Sequence, residues 1–142
     1  GIEIFSYGTA DPSVSMTGAQ ASNPEVISIL GSVSTTDRLV LTSAATVSFV
    51  GRMAGIESIL GSNADDSIVG PDYSLVIAGG AGNDTIVGTS LNGDTLMGET
   101  GNDLLVATTG NDVLDGGANN DVLDVRLGGN DTLTFGDGAD LA

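Results

Sequence analysis

An aspartate, one intervening residue and an aliphatic recur every nine or ten positions from Asp66 to Leu133, and this short period constrains the fold more than any other feature of the chain. The pairs are Asp66/Ile68, Asp84/Ile86, Asp94/Leu96, Asp103/Leu105, Asp112/Leu114, Asp121/Leu123 and Asp131/Leu133, and Leu75/Ile77 holds one beat without its acid. A unit this short cannot enclose a core of its own, so each must bury its aliphatic against its neighbours in a stack. The expected fold is therefore all-β, a parallel β-roll or β-solenoid. Counting back in phase from Ile68 lands on Ile59, Phe49, Leu39 and Ile29, which extends the ladder to twelve rungs and, at two per turn of chain, to about six coils.

Charge then says what the beat can do. Nineteen acidic residues face only Arg38, Arg52 and Arg126, there is no lysine, and the net charge is -16. Binding to nucleic acid by neutralising phosphates is excluded on that balance, and cations are the natural partners. Residues 60 to 142 hold Glu99 and thirteen aspartates against Arg126 alone, whereas residues 1 to 59 hold five acids and two arginines. An apolar share of 40% argues against a disordered acidic tail. Without cysteine, neither disulfides nor thiolate metal sites are available. No apolar run reaches the ~18 residues of a membrane span, so no transmembrane segment is expected. The N-terminus lacks a basic-then-apolar signal pattern.

Residues 79 to 87 read Gly-Gly-Ala-Gly-Asn-Asp-Thr-Ile-Val and match the calcium-binding nonapeptide G-G-x-G-x-D-x-U-x at every specified position. Over roughly residues 56 to 135 the chain resembles the repeats-in-toxin (RTX) family of secreted bacterial proteins. The resemblance implies a β-roll in which two nonapeptides make one coil and glycine-rich turns bind several Ca²⁺ ions. It implies ligands at Gly79, Ala81, Thr100 and Ala118 and at the carboxylates of Asp84, Asp103, Asp112 and Asp121, with Asp66, Asp94 and Asp131 as further candidates. The chemistry is reasonable from the residues alone. Ca²⁺ takes six to eight oxygens, carboxylate and carbonyl mixed, and glycine lets carbonyls converge.

With two repeats per coil, alternate aspartates share an edge. One edge carries Asp66, Asp84, Asp103 and Asp121, and the other carries Asp94, Asp112 and Asp131 beyond the empty beat at Leu75. Coils about 4.8 Å apart would set neighbouring carboxylates repelling by roughly 3 kcal/mol per pair at an effective dielectric near 20. The turns are unequal. Ala64, Asn92 and Asn120 stand where glycine is expected, Glu99 and Thr108 replace the second glycine of their turns, and an extra residue shifts the register before Asp131. A calcium-free solenoid built on aspartate turns is the alternative. The sequons at Asn83 and Asn130 arise incidentally from the repeat.

Four segments are expected: residues 1–25 as a β segment of cover or donor strands, 26–60 as a metal-poor β-solenoid lead-in, 61–135 as the calcium-binding roll and 136–142 as a C-terminal tail. In the first, Ile2, Ile4, Val14 and Met16 alternate with polar residues, while Pro12 and Pro24 break the phase. The residue after each rung points outward, and that column reads Leu30, Val40, Val50, Leu60, Val69, Ala78, Val87, Met97 and Val106 before turning polar at Asp115, Asp124 and Thr134. Such stripes exceed what a monomer normally exposes.

No His, Cys or Lys is present to act as base or nucleophile, so an enzyme is not expected. The expected function is a calcium-binding extracellular structural protein, a surface-layer, filament or adhesin subunit. Its partners would be copies of itself, with attachment to a cell surface and no nucleic acid. The alternative is the C-terminal calcium-triggered folding and secretion module of a type I secreted enzyme or toxin. Either places the chain outside the bacterial cell or on its surface.

Overall fold

The structure, a computed structural model, describes residues 3–6, 13–17, 19, 26–30, 37–51, 53–89 and 91–142. Among the described residues are fifteen short strands: β1 (Glu3–Ser6), β2 (Ser13–Met16), β3 (Val26–Leu30), β4 (Arg38–Leu41), β5 (Thr46–Ser48), β6 (Met53–Ala54), β7 (Ser58–Leu60), β8 (Ser67–Val69), β9 (Val76–Ala81), β10 (Thr85–Val87), β11 (Thr95–Thr100), β12 (Leu104–Val106), β13 (Val113–Asp115), β14 (Val122–Asp124) and β15 (Thr132–Thr134). They form a seven-stranded sheet in the order β15-β13-β11-β9-β7-β4-β2, a five-stranded sheet in the order β14-β12-β10-β8-β5, and a three-stranded sheet β1-β3-β6. Successive strands of the chain alternate between sheets and every ladder is parallel, which is the signature of a β-solenoid.

The beat of the sequence becomes two columns of side chains. Leu39, Ile59, Ile77, Leu96, Leu114 and Leu133 are in register along the seven-stranded sheet. Val47, Ile68, Ile86, Leu105 and Leu123 are in register along the five-stranded one. The two columns meet in one core, where all but Leu133 are buried. Alternation within each three-residue strand sends the central residue inward and its neighbours outward, which is why the strands read half-buried, buried, half-buried.

The solenoid has about five coils that carry both large sheets, fewer than the six expected from an even count. The discrepancy lies in the lead-in, where a third strand enters each turn. Between β5 and β7 the chain makes β6, so successive rungs there are Leu39 to Ile59 and Val47 to Ile68. Phe49, expected as a rung, is fully buried just beyond β5, and the true rung is Val47. Ile29 pairs with Met53 in the three-stranded sheet, outside both columns.

Residues expected as cover or donor strands are placed differently. β1 pairs with β3 and β2 with β4, both parallel, so Val14 aligns with Leu39 and these strands continue the stack. Met16 is buried in the core. Ile2, Pro12, Pro24 and Arg52 lie outside the described residues. At the other end, residues 136–142 form part of a coil instead of a tail. Asp137 bridges Ala118 and Leu141 bridges Val122, with Leu141 N–H donating to the Asp121 carbonyl at 2.9 Å.

Candidate metal centre

The turns fall on two edges. On the first edge the chain leaves the seven-stranded sheet for the five-stranded one, through residues 61–66, 79–84, 98–103, 116–121 and 135–140. On the second it returns, through residues 70–75, 88–94, 107–112 and 125–131. The expected partition of the aspartates holds, and the first edge gains Asp140. Each acid has one oxygen committed to the backbone of the coil before it. On the first edge, Asp66 N–H donates to Asp84 Oδ1 at 2.7 Å, Asp84 N–H to Asp103 Oδ1 at 2.7 Å, Asp103 N–H to Asp121 Oδ1 at 2.9 Å and Asp121 N–H to Asp140 Oδ1 at 2.8 Å. On the second edge, Leu75 N–H donates to Asp94 Oδ1 at 3.2 Å, Asp94 N–H to Asp112 Oδ1 at 2.6 Å and Asp112 N–H to Asp131 Oδ1 at 2.9 Å. Even the lead-in follows the rule, since Asp37 N–H donates to Glu57 Oε2 at 2.6 Å.

The second oxygen distinguishes the sites. Among the described residues, Asp84 Oδ2, Asp103 Oδ2 and Asp121 Oδ2 are buried with no hydrogen-bond partner. A buried carboxylate oxygen without a donor is costly, and a cation is the simplest thing that would satisfy it. Burial pushes the Asp84 carboxyl up to about 6, opposed by the hydrogen bond from Asp66 and reinforced by the charges of Asp103 and Asp66. Asp103 and Asp121 are raised for the same leading reason.

Next to each orphaned oxygen is a glycine whose missing side chain is required. A methyl group on Gly79 would run into Asp84 Oδ2 and crowd the Gly98 carbonyl. On Gly98 it would meet Asp103 Oδ2 and the Gly116 carbonyl, and on Gly116 it would meet Asp121 Oδ2 and the Phe135 carbonyl. Carboxylate and carbonyl oxygens from two successive coils therefore gather at one place. No three acids among the described residues converge on a point, so an ion held here takes most of its oxygens from the backbone. The expected carbonyl residues are aligned across the coils, Ala81 with Thr100 and Thr100 with Ala118.

The first-edge turns at 79–84, 98–103, 116–121 and 135–140 share a backbone signature. Positive φ occurs at Gly80 and Gly82, Glu99 and Gly101, Gly117 and Asn119, and Gly136 and Gly138. The asparagine that takes the glycine conformation in its turn is thus Asn119 and not Asn120, since asparagine tolerates that region better than most residues. In the turn before Asp94 the positive φ likewise falls on Gly93 and not on Asn92.

The family comparison agrees with this geometry. Residues 76–90, 89–123 and 127–142 match the model of the RTX calcium-binding nonapeptide repeat, in four copies. These are RTX calcium-binding repeats. The RTX match takes in the last coil through residue 142, beyond the expected end of the roll at 135. Among curated proteins none matches the chain, and among solved structures none does. The residues fit Ca²⁺, which would supply positive charge and a demand for many oxygens where three carboxylate oxygens lack donors.

The sequence reading missed a second ladder. Asn83 N–H donates to Asp65 Oδ1 at 2.7 Å, Asn102 N–H to Asn83 Oδ1 at 2.9 Å, Asn120 N–H to Asn102 Oδ1 at 3.0 Å and Ala139 N–H to Asn120 Oδ1 at 2.8 Å. Asn130 N–H and Asn111 Oδ1 repeat the pattern on the second edge. The aspartate accepts from the preceding coil and the residue before it accepts from the following one, so each dipeptide ties its turn in both directions. The recurrent Asn-Asp dipeptide was the available signal.

Proposed function

We propose that this chain is an extracellular structural subunit whose roll is set by Ca²⁺ and whose apolar outer faces join it to copies of itself. The observation that carries the calcium half of the reading is the row of partnerless buried oxygens at Asp84, Asp103 and Asp121. Without the ion, charged carboxylates buried one coil apart oppose the stacking that the core favours, which couples folding to calcium. Outside a cell calcium is abundant, and the RTX repeats point to secretion. No helix among the described residues is long and apolar enough to cross a membrane.

The assembly half rests on the outer faces. On the five-stranded sheet Val69, Val87 and Val106 are in register and half-buried. The position before each rung, which the outward column did not include, adds Leu104 and Val122 at 36% and 40% exposure. Val76 and Val113 do the same on the seven-stranded sheet. Ala78 is buried, and the side chain of Leu30 lies outside the described residues. Apolar columns of this extent favour lateral packing. No residue is proposed as catalytic.

The test is circular dichroism with light scattering on one sample, titrated with Ca²⁺ from chelator to excess. Gain of β signal with growth to large particles is the expected result. Gain of β signal in a persistent monomer would overturn self-assembly and favour a folding and secretion module.

A further inference from the structure

We propose that calcium loads only one edge of the roll, at the three places marked by Asp84, Asp103 and Asp121, and that hydroxyl and methyl groups close the other edge and the first turn. This rests on the calcium reading above and specifies which of the phased acids serve it. Asp66 heads the same row, yet its Oδ2 accepts from Ser62 N–H at 2.7 Å and from Ser62 Oγ–H at 3.0 Å, while its Oδ1 accepts from Ala45 N–H at 2.5 Å. Ser62 is buried with it. Neither Ser62 nor Ala64 has the positive φ found at Gly80 and Gly82 one coil later. The carboxylate is fully partnered by the protein.

The second edge is closed by other means. The position held by Gly79, Gly98 and Gly116 on the first edge is held on the second by Gly88 in the turn before Asp94, by Ala107, fully buried, in the turn before Asp112, and by Val125 in the turn before Asp131. In the turns before Asp112 and Asp131 the space is occupied by side chains, and in the turn before Asp94 the closure falls to Thr89. Where the first edge has Gly80 and Gly117, the second has Thr89 and Thr108. Thr89 Oγ1 donates to the carbonyls of Gly70 and Pro71, at 3.1 and 2.6 Å, taking up oxygens an ion would need. Thr108 N–H donates to Asp112 Oδ2 at 3.0 Å. The paired positive φ values of the first-edge turns are absent from 107–112. On this edge the aspartates serve as ladder acceptors for the backbone.

Calorimetric titration of the whole chain with Ca²⁺ tests this, since asparagine keeps the oxygen that accepts the ladder hydrogen bond and removes the charge. Asp84→Asn, Asp103→Asn and Asp121→Asn are each expected to lower the stoichiometry by one ion, whereas Asp94→Asn and Asp112→Asn leave it unchanged. A gain-of-site variant guards against simple misfolding. Ser62→Gly with Ala64→Gly turns residues 61–66 into a full glycine-rich motif and is expected to add one ion. Loss of ions from the Asp94 and Asp112 variants, or no gain from the double glycine variant, would overturn the one-edge assignment while leaving calcium binding intact. Absence of any Ca²⁺ uptake by the unaltered chain would overturn the calcium reading itself.

Discussion

Asp84 shows how one side chain serves two coils. Its Oδ1 closes a backbone hydrogen bond from Asp66 and its Oδ2 is buried without a donor, so the group is costly when ionised and useful when a cation is near. The pH dependence follows. In the ion-free roll the folded carboxyl titrates at about 6, above its ordinary value. A raised folded pKa contributes stability that is complete below the unfolded value of about 4 and is lost as pH rises through the folded one. Chelated protein should therefore hold more β structure near pH 4 than at pH 7, read by circular dichroism. Calcium-loaded protein should show the reverse, because protons compete for the same oxygens. The neighbouring glycine gives a second prediction at this scale. Gly98→Ala puts a methyl group against Asp103 Oδ2 and the Gly116 carbonyl and should destabilise the calcium-loaded roll by about 1–3 kcal/mol, measured by denaturant unfolding.

At the scale of the strand and turn, two kinds of coil are joined. An RTX coil buries little beyond its two rungs, such as Ile77 and Ile86, and relies on its turns. The lead-in coil of β4, β5 and β6 buries Leu39, Leu41, Ala45, Val47, Phe49 and Ile56, because a third side to the turn leaves room for them. On the calcium reading proposed above, more apolar burial stands there in place of an ion. Ile77→Ala in the centre of the ladder should cost ~2–5 kcal/mol in the calcium-loaded state. Asn102→Ala, which removes one exposed rung of the asparagine ladder, should cost about 1 kcal/mol or less by the same measurement.

Legibility in the sequence divides along the same line. From Asp66 onward the beat of acid and aliphatic is strict, so rungs, edges and parallel stacking could be read directly. In the lead-in the count of ten misplaces Phe49 and Ile29, because it assumes two strands per turn and the chain makes three. Residues 1–25 read as a separate element because prolines hide the phase, although β2 aligns Val14 with Leu39. The Gly-Asp-Gly-Ala-Asp stretch at the C-terminal end is too degenerate to recognise until Asp140 is seen accepting from Asp121. The fate of each second carboxylate oxygen was beyond sequence reading, since it depends on whether Ser62 or Thr108 turns its donor toward the acid.

Across the whole molecule, a stack with a partnered first turn at Ser62 and Asp66 passes into one with buried carboxylate oxygens at Asp84, Asp103 and Asp121 that no hydrogen bond satisfies. Residues 37–75 supply a finished surface, and each later coil has its strand partner waiting in the coil before it. The order of assembly expected from this arrangement runs from the lead-in toward residue 142. Removing residues 135–142 should abolish the ion at Asp121, which loses the Phe135 carbonyl and the Asp140 acceptor, while the ions at Asp84 and Asp103 remain, as counted by calcium titration.

The measurement that tests the account most directly is region-resolved hydrogen exchange on the full chain, in calcium and in chelator. Amides of residues 37–75 should stay protected in both conditions, and those of 76–142 should be protected only with calcium. Equal protection of both segments in chelator would contradict a roll held together by the ion.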